Sequence, residues 1–148
     1  MFLYFVQKSS YDEFAPASRR GIFILKGVWT MMRIVIAGSR GFEEYALLEQ
    51  TLDRILDEQT EPIELVSGHA KGADLLAERY AKENDLPIHI IKPDWKTYGR
   101  AAGPIRNRQM LDYAMEVSPL VVAFWDGKSK GTKNTIDTAK SLGIPVKT

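Results

Sequence analysis

From residue 33 onward, short runs of aliphatic and β-branched residues alternate with longer stretches in which apolar residues recur every three or four positions. The first pattern predicts strands buried on both faces and the second predicts amphipathic helices. Strands are predicted at Arg33–Ala37, Ile63–Val66, Ile88–Ile91, Leu120–Phe124 and Ile144–Lys147. Helices are predicted at Glu43–Glu58, with Tyr45, Leu48, Leu52, Ile55 and Leu56 on one face, and at Gly72–Asn84, with Ala73, Leu76, Ala77 and Tyr80 inward. Two more are predicted at Pro104–Met115 and at Thr132–Leu142, the latter with Ile136, Ala139 and Leu142 inward. Pro104 suits a first helical turn, where its missing N–H costs nothing, and Gly143 reads as a C-cap. Lys92–Gly103 is expected to be a loop.

Strict alternation of strand and helix implies an α/β protein: a Rossmann-like three-layer α/β/α arrangement with a five-stranded parallel sheet, expected in the order 3-2-1-4-5. Crossovers should be right-handed. In this order the first and fourth strands are neighbours and their connections leave toward opposite faces. Ligands of such sheets bind there, beyond the carboxyl ends of the strands.

Residues 1–31 lie outside the alternation. They hold two apolar patches, Phe2–Val6 and Ile22–Leu25, around a polar stretch. Phe2–Val6 and Gly21–Leu25 have the β-branched and aromatic content of two short strands. Met32 stands where a protein beginning on its first core strand would start. The segment therefore reads as a packed N-terminal extension without a catalytic role, and residues 32–148 as the ligand-binding domain.

Three strands end in small-residue turns that lead toward a helix: Gly38-Ser39-Arg40-Gly41, Ser67-Gly68-His69-Ala70-Lys71-Gly72-Ala73-Asp74 and Trp125-Asp126-Gly127-Lys128-Ser129-Lys130-Gly131-Thr132. Glycine lets the backbone approach a ligand closely, and the first N–H groups of a helix have no intrahelical partner, so each turn is a candidate phosphate cradle. Glycine required by turn geometry alone is the plainer explanation. Convergence of all three turns at one end of the sheet favours a small phosphorylated ligand such as a nucleotide or an ADP-ribose derivative.

Composition narrows the chemistry. A chain of 148 residues with 45% hydrophobic content suits one core. Lys and Arg total 20 against 19 for Asp and Glu, a net charge of +1 that does not advertise a nucleic-acid or membrane partner. There is no cysteine, which excludes disulfides, thiol catalysis and thiolate metal sites. No apolar run reaches the roughly 20 residues of a membrane helix, and the N-terminal apolar patch lacks the basic flank of a secretory signal. A soluble cytoplasmic protein is expected.

Known nucleotide motifs fail. Gly38-Ser39-Arg40-Gly41 is not G-x-G-x-x-G, and no acidic residue ends the second strand to take a ribose hydroxyl, which disfavours a dinucleotide dehydrogenase. Gly127-Lys128-Ser129 resembles the end of a P-loop, but Val122 occupies the position of its first glycine. His69 and His89 are the only histidines and form no metal constellation. No metal and no cofactor is expected.

Taken in order, Ile34-Val-Ile-Ala-Gly-Ser-Arg-Gly-Phe42, Ser67–Asp74, Asp94-Trp95 with Tyr98-Gly99, Ala102-Gly-Pro-Ile-Arg-Asn107 and Trp125–Thr132 resemble the YspA/YpsA-related branch of the SLOG superfamily. The resemblance covers about Met32 to Thr148. It implies a Rossmann-like fold that binds nucleotides or nucleotide-derived signals. The superfamily also holds the Lonely Guy phosphoribohydrolases and the DNA-processing protein A group, which binds single-stranded DNA. The hydrolases carry P-G-G-x-G-T-x-x-E with a catalytic glutamate. Here Gly131-Thr132-Lys133-Asn134 is followed by Thr135, so the resemblance carries no catalytic carboxylate to that position.

The candidate ligand-binding residues are therefore Gly38, Ser39, Arg40, Gly41, Ser67, Gly68, Gly72, Asp74, Arg106, Asn107, Asp126, Gly131 and Thr132. The glycines, serines and Thr132 would offer backbone N–H and hydroxyl groups, and Arg106 a bidentate phosphate contact. Asp74 and Asp126 would take ribose hydroxyls. Trp95 and Tyr98 would stack on a base as a lid, and the plainer reading of Trp95, favoured for that residue alone, is that it plugs the end of the sheet. Three functions follow: a nucleotide-binding sensor or adaptor; a hydrolase of a nucleotide N-glycosidic bond relying on Asp74, Asp126 and Arg106; and a single-stranded nucleic-acid binder using the basic loops with Trp95 and Tyr98. The apolar extension offers a surface for homo-oligomer formation.

Overall fold

The structure, a computed structural model, describes the backbone of Leu3–Tyr4, Phe23–Leu25 and Val28–Thr30 and all of residues 31–148. Its centre is β4 (Met32–Gly38), where Ile34, Val35 and Ile36 are fully buried. It pairs in parallel with β5 (Ile63–Ser67) on one side and with β7 (Ser118–Phe124) on the other. β6 (Ile88–Ile90) joins β5, and β8 (Val146–Lys147) joins β7. The order β6-β5-β4-β7-β8 is the expected 3-2-1-4-5.

The side chains of β4 alternate between two cores, as strand geometry requires. Ile34 and Ile36 enter one core with α1 (Tyr45–Glu58) and α2 (Ala73–Glu83), where Leu48, Leu52, Leu56, Ala77 and Tyr80 are buried. Val35 enters the other with α4 (Ala102–Met115) and α5 (Lys130–Ser141), through Met110, Leu111, Ala114 and Ala139. Both faces are thus covered, and the near-continuous apolar runs of the inner strands follow from it. The expected inward faces of α1, α2 and α5 are the observed ones. Gly143 takes φ +75° and ends α5, with Ile144 N–H reaching back to Ala139 O at 2.9 Å.

Several boundaries differ from expectation. Lys92–Gly103 is not a plain loop. It contains α3 (Trp95–Tyr98), capped by Asp94 Oδ1 on Thr97 N–H at 3.0 Å, and a 3₁₀ turn at Gly99–Ala101, so α4 starts at Ala102, ahead of Pro104. β8 is shorter than expected because Pro145 cannot donate to the ladder and serves it as an acceptor, taking Val121 N–H at 2.9 Å. In the extension, β1 (Leu3–Tyr4) and β2 (Phe23–Leu25) pair antiparallel inside the two expected strands. A further strand, β3 (Val28–Thr30), pairs with β2. The remaining positions of those expected strands, and the packing of the extension, lie outside the described residues. Among the described residues no helix is long and apolar enough to cross a membrane.

Candidate functional site

Where β4 and β7 diverge into their two connections, a cleft of about 610 Å³ opens at the carboxyl ends of the strands. Its walls are the turn after β4, the turn before α2, and the first turns of α4 and α5. Gly38, Ser39, Arg40, Gly41, Asp74, Arg106, Asn107, Asp126, Gly131 and Thr132 all line it. Ser67, Gly68 and Gly72 do not; they stand behind its wall. Ala70, Arg100, Ser129, Lys130, Asn134 and Thr135, which are not among the residues expected from the sequence, line it too. Most are close neighbours of expected positions, whereas Arg100 comes from the 3₁₀ turn that follows α3.

The glycines separate into two groups. Gly72 has φ +85°, and a Cβ there would run into the backbone oxygens of Ser39 and Arg40. A Cβ on Gly38 would collide with Ala73 Cβ, and one on Gly68 would meet the Arg106 guanidinium. Close packing alone requires Gly38 and Gly72, whereas at Gly68 the atoms met belong to the movable end of the Arg106 side chain. At Gly41 and Gly131, by contrast, an added Cβ meets nothing within 4 Å, and neither has a positive φ. Both face the cleft.

The turn after β4 does not present a helix N-terminus to the cleft. α1 begins only at Tyr45, and Glu43 and Glu44 ahead of it line a second hollow of about 560 Å³ together with Leu47, Phe124 and Trp125. The first turns of α4 and α5 do face the cleft, and α5 begins in the turn after β7. Asp126 organises the approach to α5: Oδ1 accepts Lys128 N–H and Ser129 N–H, each at 2.8 Å, while Asp126 N–H donates to Ser39 Oγ at 3.3 Å. Those backbone bonds hold the Asp126 carboxyl below its ordinary range. Ser129 then caps α5, accepting Thr132 N–H at 3.4 Å.

The second turn of α4 carries the positive charge. Arg106 donates from Nη1 to Gly68 O and from Nε to Asn107 Oδ1. Asn107, almost fully buried, passes its Nδ2 to Asn134 Oδ1 at 3.1 Å and to Gly131 O at 3.4 Å, tying α4 to α5. Burial lowers Arg106 from its usual value; the Asp74 charge opposes that and the Arg40 charge adds to it. Both guanidinium groups line the cleft.

Asp74 is the buried acid of the site. It is 6% exposed, on the first turn of α2, with Oδ2 accepting Ala70 N–H at 3.2 Å. Burial pushes its carboxyl up to about 6, although Arg106 and backbone N–H groups pull the other way. Ser67 is an internal brace, its Oγ donating to Glu78 Oε2 at 3.1 Å and accepting His69 N–H at 3.1 Å. His69, at φ +58°, holds Glu78 with Nδ1 at 2.8 Å. His89 stacks on Tyr113 with ring centroids 4.1 Å apart, outside the cleft. Trp95 is half-exposed on the rim, over Gly103, so it does not plug the sheet; Tyr98 is not part of the lining. Thr135, in the position of the hydrolases' glutamate, is buried and donates to Gly131 O at 3.3 Å. No group of acidic or histidine side chains among the described residues could hold a metal ion.

These features define a Rossmann-like α/β protein with an open polar cleft at its topological switch point. The chain belongs to the YspA, cpYpsA-related SLOG family, whose sequence model matches residues 32–98. It is similar to the Gene 61 protein of Mycobacterium phage D29, with 31% identity over 121 residues, 78% of this chain and 94% of the phage protein. Among solved structures it is similar to DNA processing protein A of Streptococcus pneumoniae, with a TM-score of 0.60 at 19% identity. That match covers 78% of this chain and 49% of the other, so the chain spans about half the length of that structure, and the likeness is one of fold.

Proposed function

We propose that the cleft binds a nucleotide or a nucleotide-derived phosphorylated ligand, and that the protein acts as a sensor or adaptor rather than through turnover. The observation that carries this reading is the presence of Arg40 and Arg106 in the lining of one cleft, onto which the N-terminus of α5 also opens. Two neighbouring cations gain when an anion comes between them, and the first N–H groups of a helix are anion donors without a partner. The volume falls in the range of small-molecule sites, roughly 300–1,000 Å³. Arg100, Lys130 and half-exposed Trp95 at the rim add charge and a stacking face. In this arrangement Ser39, Gly41, Gly131 and Thr132 meet phosphate, and Asp126 and Asp74 meet the sugar. Gly38, Ser67, Gly68 and Gly72 hold the walls that present them. The domain that does this is residues 32–148.

Hydrolysis of an N-glycosidic bond is the second reading. Asp74 favours it, because a carboxyl raised to about 6 is placed in the range of a general acid. Thr135 disfavours it, since its hydroxyl is committed to Gly131 O.

The test is calorimetric titration with AMP, ADP, ADP-ribose and NAD, with mass spectrometry on the recovered ligand. Binding without consumption supports the sensor, and a consumed ligand makes the protein an enzyme. If no nucleotide binds while single-stranded oligonucleotides bind with a steep salt dependence, the small-ligand reading falls and the nucleic-acid reading replaces it. Gly131→Ala sharpens the result. Its methyl has open space in the folded protein, so a loss of affinity at unchanged stability places the ligand against α5.

A further inference from the structure

Resting on the reading of the cleft as an anion site, we propose that ligand binding is coupled to uptake of one proton at Asp74, so that the site takes its phosphorylated ligand together with a neutral carboxyl and binds it more tightly as pH falls. Three observations lead there. Asp74 lies in the cleft wall but is only 6% exposed, so water does little to screen its charge from an entering anion. Arg106, the cation nearest in influence, spends donors on Gly68 O and Asn107 Oδ1, and no ion pair between Arg106 and Asp74 closes among the described residues. Ionised Asp74 draws on backbone donors, the Ala70 N–H at 3.2 Å and the Gly68 N–H, and on no side-chain cation in contact, against a burial cost that outweighs them and favours the protonated form.

The charged groups around it act in known directions. Glu78, on the same helix, opposes ionisation; Arg106, from α4, and the N–H groups of Gly68 and Ala70 favour it. Arg40 acts on Arg106 from the turn after β4, and Asp126 and Lys130 face the cleft from its far wall. An entering phosphate engages Arg40 and Arg106, which removes the attraction that stabilises ionised Asp74, and it adds a negative charge of its own. Both changes raise the affinity of Asp74 for a proton. By linkage, the proton then raises the affinity for the anion by the same factor.

The experiment uses ADP-ribose, whose two phosphoryl groups stay singly ionised between about pH 5 and 8, so the ligand itself does not titrate. Calorimetry in two buffers of different ionisation enthalpy, at pH 7, reads the protons taken up. The expected result is uptake approaching one proton per ADP-ribose, with affinity falling tenfold to a hundredfold from pH 6 to pH 8. Tenfold per pH unit is the limit for one coupled proton. Asp74→Asn is expected to bind more tightly than the wild type at pH 8 and to lose that part of the pH dependence, which separates Asp74 from His69 and Glu78 nearby. Binding without proton uptake, or an unchanged pH slope in Asp74→Asn, overturns the coupling and leaves the cleft as an anion site. No binding of ADP-ribose by the wild type at any pH overturns the site reading and the coupling together. The wild-type proton count stands whether or not the variant folds.

Discussion

Replacing Asp74 by asparagine removes a charge while keeping an oxygen for the Ala70 N–H. In the folded protein the carboxyl sits at about 6 instead of 3.8, chiefly because it is buried. The unfolded chain therefore gives up this proton more readily than the folded one. The folded state is favoured by the neutral acid, so the associated stability is complete below pH 3.8 and is lost as pH rises through about 6. At 1.36 kcal/mol per pH unit, the ionised carboxyl costs the fold about 3 kcal/mol above that window. The attraction of Arg106 is already included in that balance, since it acts on the same titration. The neutral amide of the Asp74→Asn variant should then stabilise the protein by up to about 3 kcal/mol at pH 7.5 and by nearly nothing at pH 3.8. Urea unfolding at each pH measures this directly. With slopes of 1–3 kcal/mol/M the midpoint should rise by about 1–3 M at pH 7.5. A variant no more stable than the wild type at pH 7.5, or a gain that persists unchanged at pH 4, refutes the assignment of a strained buried charge.

Other expectations follow from the same geometry. Gly72→Ala forces a side chain against the Ser39 and Arg40 carbonyl oxygens at φ +85°. It should destabilise by more than about 2 kcal/mol, seen as a lowered denaturation midpoint. Gly131→Ala meets nothing within 4 Å; stability should hold within about 1 kcal/mol while calorimetric affinity for the bound nucleotide falls at least about tenfold. Ser129→Ala removes the cap on Thr132 N–H and should cost about 1 kcal/mol of thermal stability. Arg40→Ala, at an exposed position with no ion pair among those described, should leave the melting temperature almost unchanged and weaken ADP-ribose by about 1.5–3 kcal/mol, the strength of a charged hydrogen bond.

The fold is legible in the sequence because its signals are local and redundant. The runs Ile34–Ala37 and Leu120–Phe124 are too apolar for one-sided strands, and the helices between them repeat at 3.6 residues, so a covered parallel sheet is the consistent solution. Given that order, topology alone brings the turns after β4 and β7 to one crevice. What the pattern does not reveal is set by single hydrogen bonds. Asp94 looks like any polar loop residue, yet it caps a helical turn through Thr97 N–H, and the 3₁₀ turn that follows holds Arg100 in the cleft lining. β3 stays hidden because Val28-Trp29-Thr30 is too short to show a period.

The glycine turns show where a sequence pattern stops carrying information about a site. Gly38, Gly72 and Gly131 look equivalent in the sequence: each is a glycine in a turn between strand and helix. The structure divides them by what a methyl group would touch. At Gly38 and Gly72 it would strike the protein itself, so strand–helix packing is sufficient reason for glycine, with or without a ligand. At Gly131, in the cleft wall, it would meet open space, where the fold makes no demand, and glycine there even sacrifices helix propensity. A buried carboxylate that weakens the fold and a helical glycine with free space beside it thus stand in walls of the same cleft. Each is unfavourable for folding, and each becomes intelligible if an anion occupies the space between them.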